Sequence, residues 1–193
     1  MKKFLALILT CAGCLSAENF VELRGAQNGY RYLLADHYLR QNLYVELFYV
    51  GLPGSDELNF GIGYRLIAGE SLTLQPIFYA ATVNVQHKKQ RGAKVGAYAS
   101  YQYNKWNING FLGYFIPFHK HSNNYLVLDS LDLKRTLTKK WNLGATTEFF
   151  LQGGKWNPLV GPMLERTDKR GGWRINFLFG SAVQFRLIRS FNF

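Results

Sequence analysis

The sequence predicts an all-β chain that closes into a small antiparallel transmembrane β-barrel of about 8 to 10 strands. Three observations support this fold class: apolar and polar residues alternate with a period of two from about residue 42 onward, turn residues separate the alternating segments, and large aromatic residues lie near the segment ends. No apolar run after residue 17 approaches the roughly 20 residues that a transmembrane helix needs.

Residues 1–17 have the layout of an export signal peptide. Lys2 and Lys3 form its basic start, an apolar run follows, and small residues end at Ala17. Cleavage after Ala17 and lipidation at Cys14 both remain open, because Ala12-Gly13-Cys14 is similar to the end of a lipoprotein box. Cys11 and Cys14 are the only cysteines, so neither route leaves a mature chain with a disulfide.

The clearest strand runs from Trp106 to Phe118, where the even positions are apolar and the odd positions begin with Asn107 and Asn109. Segments 93–103 and 141–152 alternate in the same way. Their lengths suit tilted strands that cross a bilayer in about 9 to 11 residues.

Further segments alternate less sharply, at 43–50, 58–66, 72–85, 125–133, 159–166, 173–179 and 183–193. They bring the expected number to ten, and eight remains possible. We expect β-bulges at Pro76 and Pro162, because a closed barrel has no free edge for a residue without an N–H donor. Residues 18–41 stay unassigned: Tyr30 to Leu39 fits a short helix, a plug or a first strand. The barrel is therefore expected over 42–193.

The type and position of the residues favour a membrane barrel over a soluble one. The polar faces contain small residues such as Gly61 and Gly144, which suit a narrow interior. Bulky aromatics near the ends of the apolar faces are typical of interfacial girdles; they are Tyr101, Tyr103, Trp106, Phe118, Trp141 and Trp173. The alternative, a soluble periplasmic lipid-binding barrel, predicts that these faces point inward.

The last strand carries the most specific signal. Phe193 is preceded at alternate positions by Phe191, Arg189, Leu187, Phe185 and Val183. This pattern resembles the C-terminal signal of Gram-negative outer-membrane β-barrels. The resemblance implies an outer-membrane location and recognition of the Phe193 strand by the barrel assembly machinery.

Charges of both signs fall on the presumed lumen side of the strands. They are Glu46, Arg65, Lys94, Glu148, Arg174 and Arg186. One interpretation is a salt-bridged filling of a structural membrane protein, because an eight-stranded interior is just wide enough for its own side chains. The other is a narrow, anion-favouring pore.

One cluster raises the possibility of an enzyme. His119, His121 and Ser122 superficially resemble the His and Ser of outer-membrane lipid A deacylases, which would imply a lipid A or phospholipid modifying activity. Adjacent residues point to opposite faces of a strand, so His121 and Ser122 converge only in a turn. No metal site or cofactor is predicted, since two histidines alone make a weak site.

The formal net charge of +11 suits an anionic partner. The densest basic stretch contains Lys88, Lys89 and Arg91, and Lys134, Arg135, Lys139 and Lys140 form a second. Export argues against nucleic acid, so we expect outer-membrane lipids including lipopolysaccharide as partners, with lipid phosphate at the first stretch. A monomer is expected.

Overall fold

The computed structural model describes residues 19–86, 88–119, 123–152, 155–180 and 183–193. The predicted signal peptide lies outside these residues. The described chain forms thirteen strands: β1 (Asn19–Ala26), β2 (Arg31–Tyr38), β3 (Leu43–Leu52), β4 (Ser55–Tyr64), β5 (Leu66–Ala68), β6 (Leu72–Val85), β7 (Lys88–Tyr103), β8 (Trp106–Pro117), β9 (Tyr125–Thr136), β10 (Trp141–Gln152), β11 (Lys155–Asp168), β12 (Gly171–Leu178) and β13 (Gln184–Asn192). No helix in this part of the chain is long and apolar enough to cross a membrane.

Consecutive strands pair antiparallel except β4 with β5, and two further pairings close the ring: β1 with β13, and β4 with β6. Twelve strands form the closed barrel, with β5 outside the ring. The all-β barrel prediction is therefore right, but the predicted 8 to 10 strands are wrong. The additional strands, β1 and β2, lie within the segment that the sequence left unassigned.

β2 escaped prediction because both of its faces contain apolar residues. Tyr32, Leu34 and Tyr38 are buried on the lumen side, whereas Leu33 and Ala35 lie on the other face. The period of two is a contrast between faces, and it disappears when aromatic side chains fill the interior. β1 is only eight residues long, so its alternation is short.

The two prolines interrupt strand pairing without producing bulges. β4 and β5 keep the same register against β6, since Gly63 pairs with Ile77 and Leu66 with Leu74, but the ladder is broken opposite Pro76. Pro162 acts similarly between β11 and β12. A proline removes one donor but leaves the strand extended, so the ladder is lost locally and resumes in register.

The pronounced irregularity is in β9 instead. The register of β9 shifts against both β8 and β10 near Asp129 and Ser130, and Ser130 has a positive φ of 50°. One additional residue is inserted into β9, which reverses the side-chain parity. As a result, Asp129 and Ser130 both reach the lumen although they are adjacent in sequence.

The exterior of the barrel is apolar. The predicted apolar faces point outward, and the six aromatics assigned to a girdle are all exposed; Trp173, for example, is 48% exposed. The soluble alternative required these faces to point inward, so its prediction fails. Outward apolar side chains around a closed ring satisfy both requirements of a lipid environment: each strand of the ring is paired on both sides, and an apolar surface faces the acyl chains.

The barrel has two rims, for which we use two names. The terminal rim contains both ends of the described chain and the connections after β2, β5, β7, β9 and β11. The distal rim contains the connections after β1, β3, β6, β8, β10 and β12. At the terminal rim, Phe193 closes the seam: its N–H donates to the Asn19 carbonyl at 3.0 Å, and the Asn19 N–H donates back at 3.3 Å.

Candidate functional site in the barrel lumen

All six residues predicted for the lumen charge network lie inside the barrel. Glu46, Lys94, Arg174 and Arg186 are buried, and Arg65 and Glu148 are partly buried. The structure places five of them in two hydrogen-bonded networks, which the sequence did not indicate, and Arg65 beside Tyr38.

The first network is an arginine wall, defined here as Arg24, Arg174 and Arg186. These residues project from the adjacent strands β1, β12 and β13. Carboxylates of β9 and β10 face them: Arg24 Nη1 lies 2.8 Å from Asp129 Oδ1, Arg174 pairs with Asp132, and Arg186 pairs with Glu148. Glu22 adds a fourth carboxylate on the wall itself, 2.6 Å from Arg24 Nε.

Sequence reasoning missed Arg24, the member of the wall on β1. Its guanidinium spans the lumen to β9, where the bulge presents both the Asp129 carboxylate and the Ser130 hydroxyl, each at 2.8 Å. Its carbon Cζ also lies 3.9 Å from the centre of the Tyr32 ring, a cation–π geometry. The signal in the sequence was the alternation of Glu22 and Arg24 with Val21 and Leu23.

The second network surrounds Lys94. The Lys94 ammonium donates to Glu57 Oε1 at 2.8 Å, and it lies 4.9 Å from the centre of the Phe48 ring. Tyr125 donates to the other oxygen of Glu57 at 2.5 Å. Glu46 accepts from Tyr79 at 2.6 Å and from Tyr98 at 2.9 Å. The buried charges of this network are thus paired or hydrogen-bonded, as buried charges must be.

Aromatic rings pack inside the lumen among the charged groups, and lumen glycines make room for them. A Cβ added at Gly61 would lie 2.5 Å from a ring carbon of Tyr79. A Cβ at Gly96 would be equally close to the Phe111 ring. The small residues on the polar faces therefore accommodate rings from neighbouring strands in a narrow interior.

Two cavities extend into the lumen and meet at a waist. The cavity nearer the terminal rim has a volume of about 230 Å³, and the cavity nearer the distal rim about 480 Å³. Both are lined by Tyr32, Tyr98, Phe111 and Asp129, which therefore define the waist. The Tyr98 and Phe111 rings are 4.5 Å apart, and the Arg24–Asp129 ion pair crosses the lumen at this level.

The arginine wall passes through the waist. Arg24 and Arg174 line the smaller cavity, and Arg186 lines the larger one. Asn176, also on β12, is fully buried, and its side-chain amide has no hydrogen-bond partner among the described residues. Guanidinium groups therefore line the lumen on both sides of the waist.

Of the three candidate catalytic residues, the structure describes only His119. His119 lies on the distal rim after β8, and His121 and Ser122 lie outside the described residues. The residues that the structure describes contain no group of three or more potential metal ligands.

The excess positive charge lies mainly outside the lumen. Lys88, Lys89 and Arg91 are exposed at the distal-rim end of β7. Of the second basic stretch, Lys134 points inward and pairs with Glu165 at 2.8 Å, whereas Arg135 lies on the exterior. The excess of positive over negative charge therefore lies outside the lumen, mainly at the rims, whereas the numbers of positive and negative groups inside the lumen are more nearly equal.

Comparison with solved structures identifies the fold. The chain is similar to the KdgM porin, with a TM-score of 0.64 at 10% identity over 91% of this chain and 99% of that one. A KdgM porin in complex with disordered oligogalacturonate gives a TM-score of 0.66, also at 10% identity over 91% and 99%. The NanC porin gives 0.57 at 9% identity over 92% and 99%. No protein-family model and no curated protein sequence matches the chain.

Structural similarity at about 10% sequence identity establishes the fold alone. That fold is a closed barrel in which all paired strands are antiparallel, as in these porins. Together with the outward-facing apolar surface, it confirms the prediction of an outer-membrane β-barrel and of an outer-membrane location.

Proposed function

We propose that the protein is a narrow outer-membrane channel for small acidic saccharides. The observation that supports this proposal is the continuity of the arginine wall through the waist, from the smaller cavity into the larger one. A guanidinium presents donors in a planar fork that matches a carboxylate, so three of them along one path form successive stations for an anionic group.

The opposite side of the lumen suits the rest of such a solute. Asp129, Asp132 and Glu148 accept hydrogen bonds, and sugar hydroxyls donate them. The aromatic rings at the waist offer apolar faces against which a pyranose ring packs. The larger cavity, at about 480 Å³, falls within the usual range for small-molecule sites.

The balance of charge distinguishes this channel from a simple anion filter. The lumen carboxylates are Glu22, Asp36, Glu46, Glu57, Asp129, Asp132, Glu148 and Glu165, against the cations Arg24, Arg65, Lys94, Lys134, Arg174 and Arg186. A bare anion meets attraction on one wall and repulsion on the other. A solute with both a carboxylate and hydroxyls satisfies both walls, and the oligogalacturonate named with the KdgM porin is a ligand of that chemistry.

Passage requires the Arg24–Asp129 pair to separate. A solute carboxylate that binds Arg24 replaces the Asp129 carboxylate, so the guanidinium keeps an anionic partner and a full desolvation penalty is avoided. The waist would then open to acidic solutes more readily than to neutral ones of the same size.

The test is single-channel current of the folded protein in a planar bilayer, with digalacturonate and maltose as probes. We expect digalacturonate to interrupt the current at concentrations at least about tenfold below those of maltose, a difference of about 1.4 kcal/mol. The variant Arg24→Lys/Arg174→Lys/Arg186→Lys keeps every charge but removes the planar forks, so it should lose most of this preference.

Arg135→Lys/Arg166→Lys/Arg189→Lys is the matched control, because it changes three exterior arginines in the same way. Equal interruption by the two sugars would refute the assignment of an acidic substrate. A barrel whose gel mobility shifts on heating but which carries no current, and whose liposomes take up neither sugar, would instead support a purely structural protein.

A further inference from the structure

Three tryptophans at the terminal rim are each paired with an arginine on the next strand. In every case the two residues are direct cross-strand neighbours on the barrel exterior: Trp106 with Arg135, Trp141 with Arg166, and Trp173 with Arg189. The guanidinium carbons lie 5.8 Å, 5.9 Å and 4.7 Å from the ring centres, respectively. The hairpins β8–β9, β10–β11 and β12–β13 thus repeat one arrangement around about half of the rim.

These pairs mark the boundary of the apolar exterior. The exterior neighbours one step further from the rim are aliphatic, for example Leu133 after Arg135 and Leu164 after Arg166. On the rim side of the boundary, the strands end and the connecting turns begin. A tryptophan at this level is typical of a membrane–water interface, so the paired arginines are held at the depth of lipid headgroups.

Two adjacent turns add further positive charge next to the pairs. Residues 137–140 and 169–170 flank an open cleft of about 660 Å³ lined by Lys139, Lys140, Lys169, Arg170, Thr167 and Asp168. The Thr167 N–H donates to the Lys140 carbonyl at 2.8 Å and ties the two turns together. The Asp168 carboxylate accepts from the Arg170 backbone N–H at 2.9 Å.

Among the residues that the structure describes, no Asp or Glu forms an ion pair with Arg135, Arg166 or Arg189, whereas the lumen arginines are paired. Positive charge that is fixed at headgroup depth and left without a counter-charge favours an anionic ligand from the membrane itself.

We propose that this face of the terminal rim, comprising the three Trp–Arg pairs and the cleft, binds anionic glycerophospholipids through their phosphates. Acyl chains would lie against the aliphatic exterior, the tryptophans at the glycerol level, and the phosphate between a guanidinium and the lysines of the turns. The strand bounds leave connections of only two to four residues at this rim, whereas seven residues (118–124) separate β8 from β9 at the other, as expected if the terminal rim is periplasmic. The periplasmic leaflet is the one that contains glycerophospholipids, so we commit to these rather than to lipopolysaccharide.

The experiment titrates the detergent-folded protein with phosphatidylglycerol or phosphatidylcholine and counts bound lipids by native mass spectrometry. Tight binding of phosphatidylglycerol over phosphatidylcholine is expected. Arg135→Gln/Arg166→Gln/Arg189→Gln should weaken phosphatidylglycerol binding roughly a hundredfold, because each cation near a lipid phosphate contributes about a fivefold factor. Heat-dependent gel mobility confirms that the variant is folded, and lipid binding is measured independently of conduction.

Lys88→Gln/Lys89→Gln/Arg91→Gln is the matched comparison: it removes the same charge from the distal rim, where the basic stretch of the sequence predicts lipid phosphate, so the two variants decide between the rims. Retained binding in this variant supports a site at the terminal rim, and an equal loss in both variants would overturn the proposal in favour of nonspecific charge attraction. Inorganic phosphate distinguishes the two sources of the ligand group. If millimolar phosphate displaces phosphatidylglycerol, the site recognises a free anion, and the lipid assignment fails.

Discussion

The buried Lys94 allows a sharp test of how the lumen is held together. Lys94 is 2% exposed, and its ammonium lies 2.8 Å from Glu57 Oε1 within a set of aromatic rings. Lys94→Met removes the cation but conserves most of the side-chain volume. Glu57 is then left with hydrogen bonds from Tyr125 and Asn59 but without a counter-charge.

Removal of one partner of a buried ion pair costs about 3–5 kcal/mol, mainly because the remaining charge is uncompensated. We therefore expect Lys94→Met to lower the free energy of unfolding by about that amount. With an m-value near 2 kcal/mol/M, the midpoint of urea unfolding would fall by about 1.5–2.5 M. The double variant Lys94→Met/Glu57→Gln should regain most of the loss, because glutamine still accepts a hydrogen bond and carries no charge.

The assay is urea unfolding of the barrel in lipid vesicles, followed by tryptophan fluorescence and by the gel mobility of unheated samples. Lys88→Met serves as the control, because it makes the same chemical change at an exposed position of the same strand. A loss below about 1 kcal/mol in Lys94→Met, or a double variant no more stable than the single one, would refute the reasoning. Either result would mean that Glu57 is hydrated within the lumen and does not depend on Lys94.

Three further predictions concern the backbone and the seam. Gly61→Val should destabilise the barrel by about 1–3 kcal/mol in the same unfolding assay, because the new Cβ would overlap the Tyr79 ring. Gly25→Val is the control: a Cβ at that position meets no atom within 4 Å, so stability should be nearly unchanged. Ser130→Val should be less stable than Ser130→Gly by about 1–3 kcal/mol, since both lose the hydroxyl but only valine is strained at a positive φ; equal stability would contradict the bulge. Deletion of Phe193 should slow assembly into vesicles by the barrel assembly machinery severalfold, measured as the appearance of heat-modifiable protein, and an unchanged rate would exclude a role for this residue.

Much of the fold could be predicted from the sequence alone, because the alternation within a single strand shows which of its side chains share a face. Trp106 to Phe118 alternates so regularly that its outward face could be read directly, and the structure has those residues on the exterior. The same local reasoning placed Lys94 and Arg186 inside the barrel. Alternation fixes which residues share a face, whatever the partner strands are, and the aromatic residues near the segment ends indicated that the apolar face is the outer one.

The tertiary structure alone decided the number of strands, the lumen pairing and the lipid-facing cluster. Closure with twelve strands depends on β1 meeting β13, a contact between opposite ends of the chain that no local pattern specifies. Arg24 meets Asp129 across 105 positions of sequence, and the β9 bulge that orients Asp129 breaks the periodicity used for prediction. The Trp–Arg pairs are likewise separated along the chain and become neighbours only through antiparallel register. Alternation can be recognised within a single strand, whereas cross-strand contacts depend on how two strands are paired.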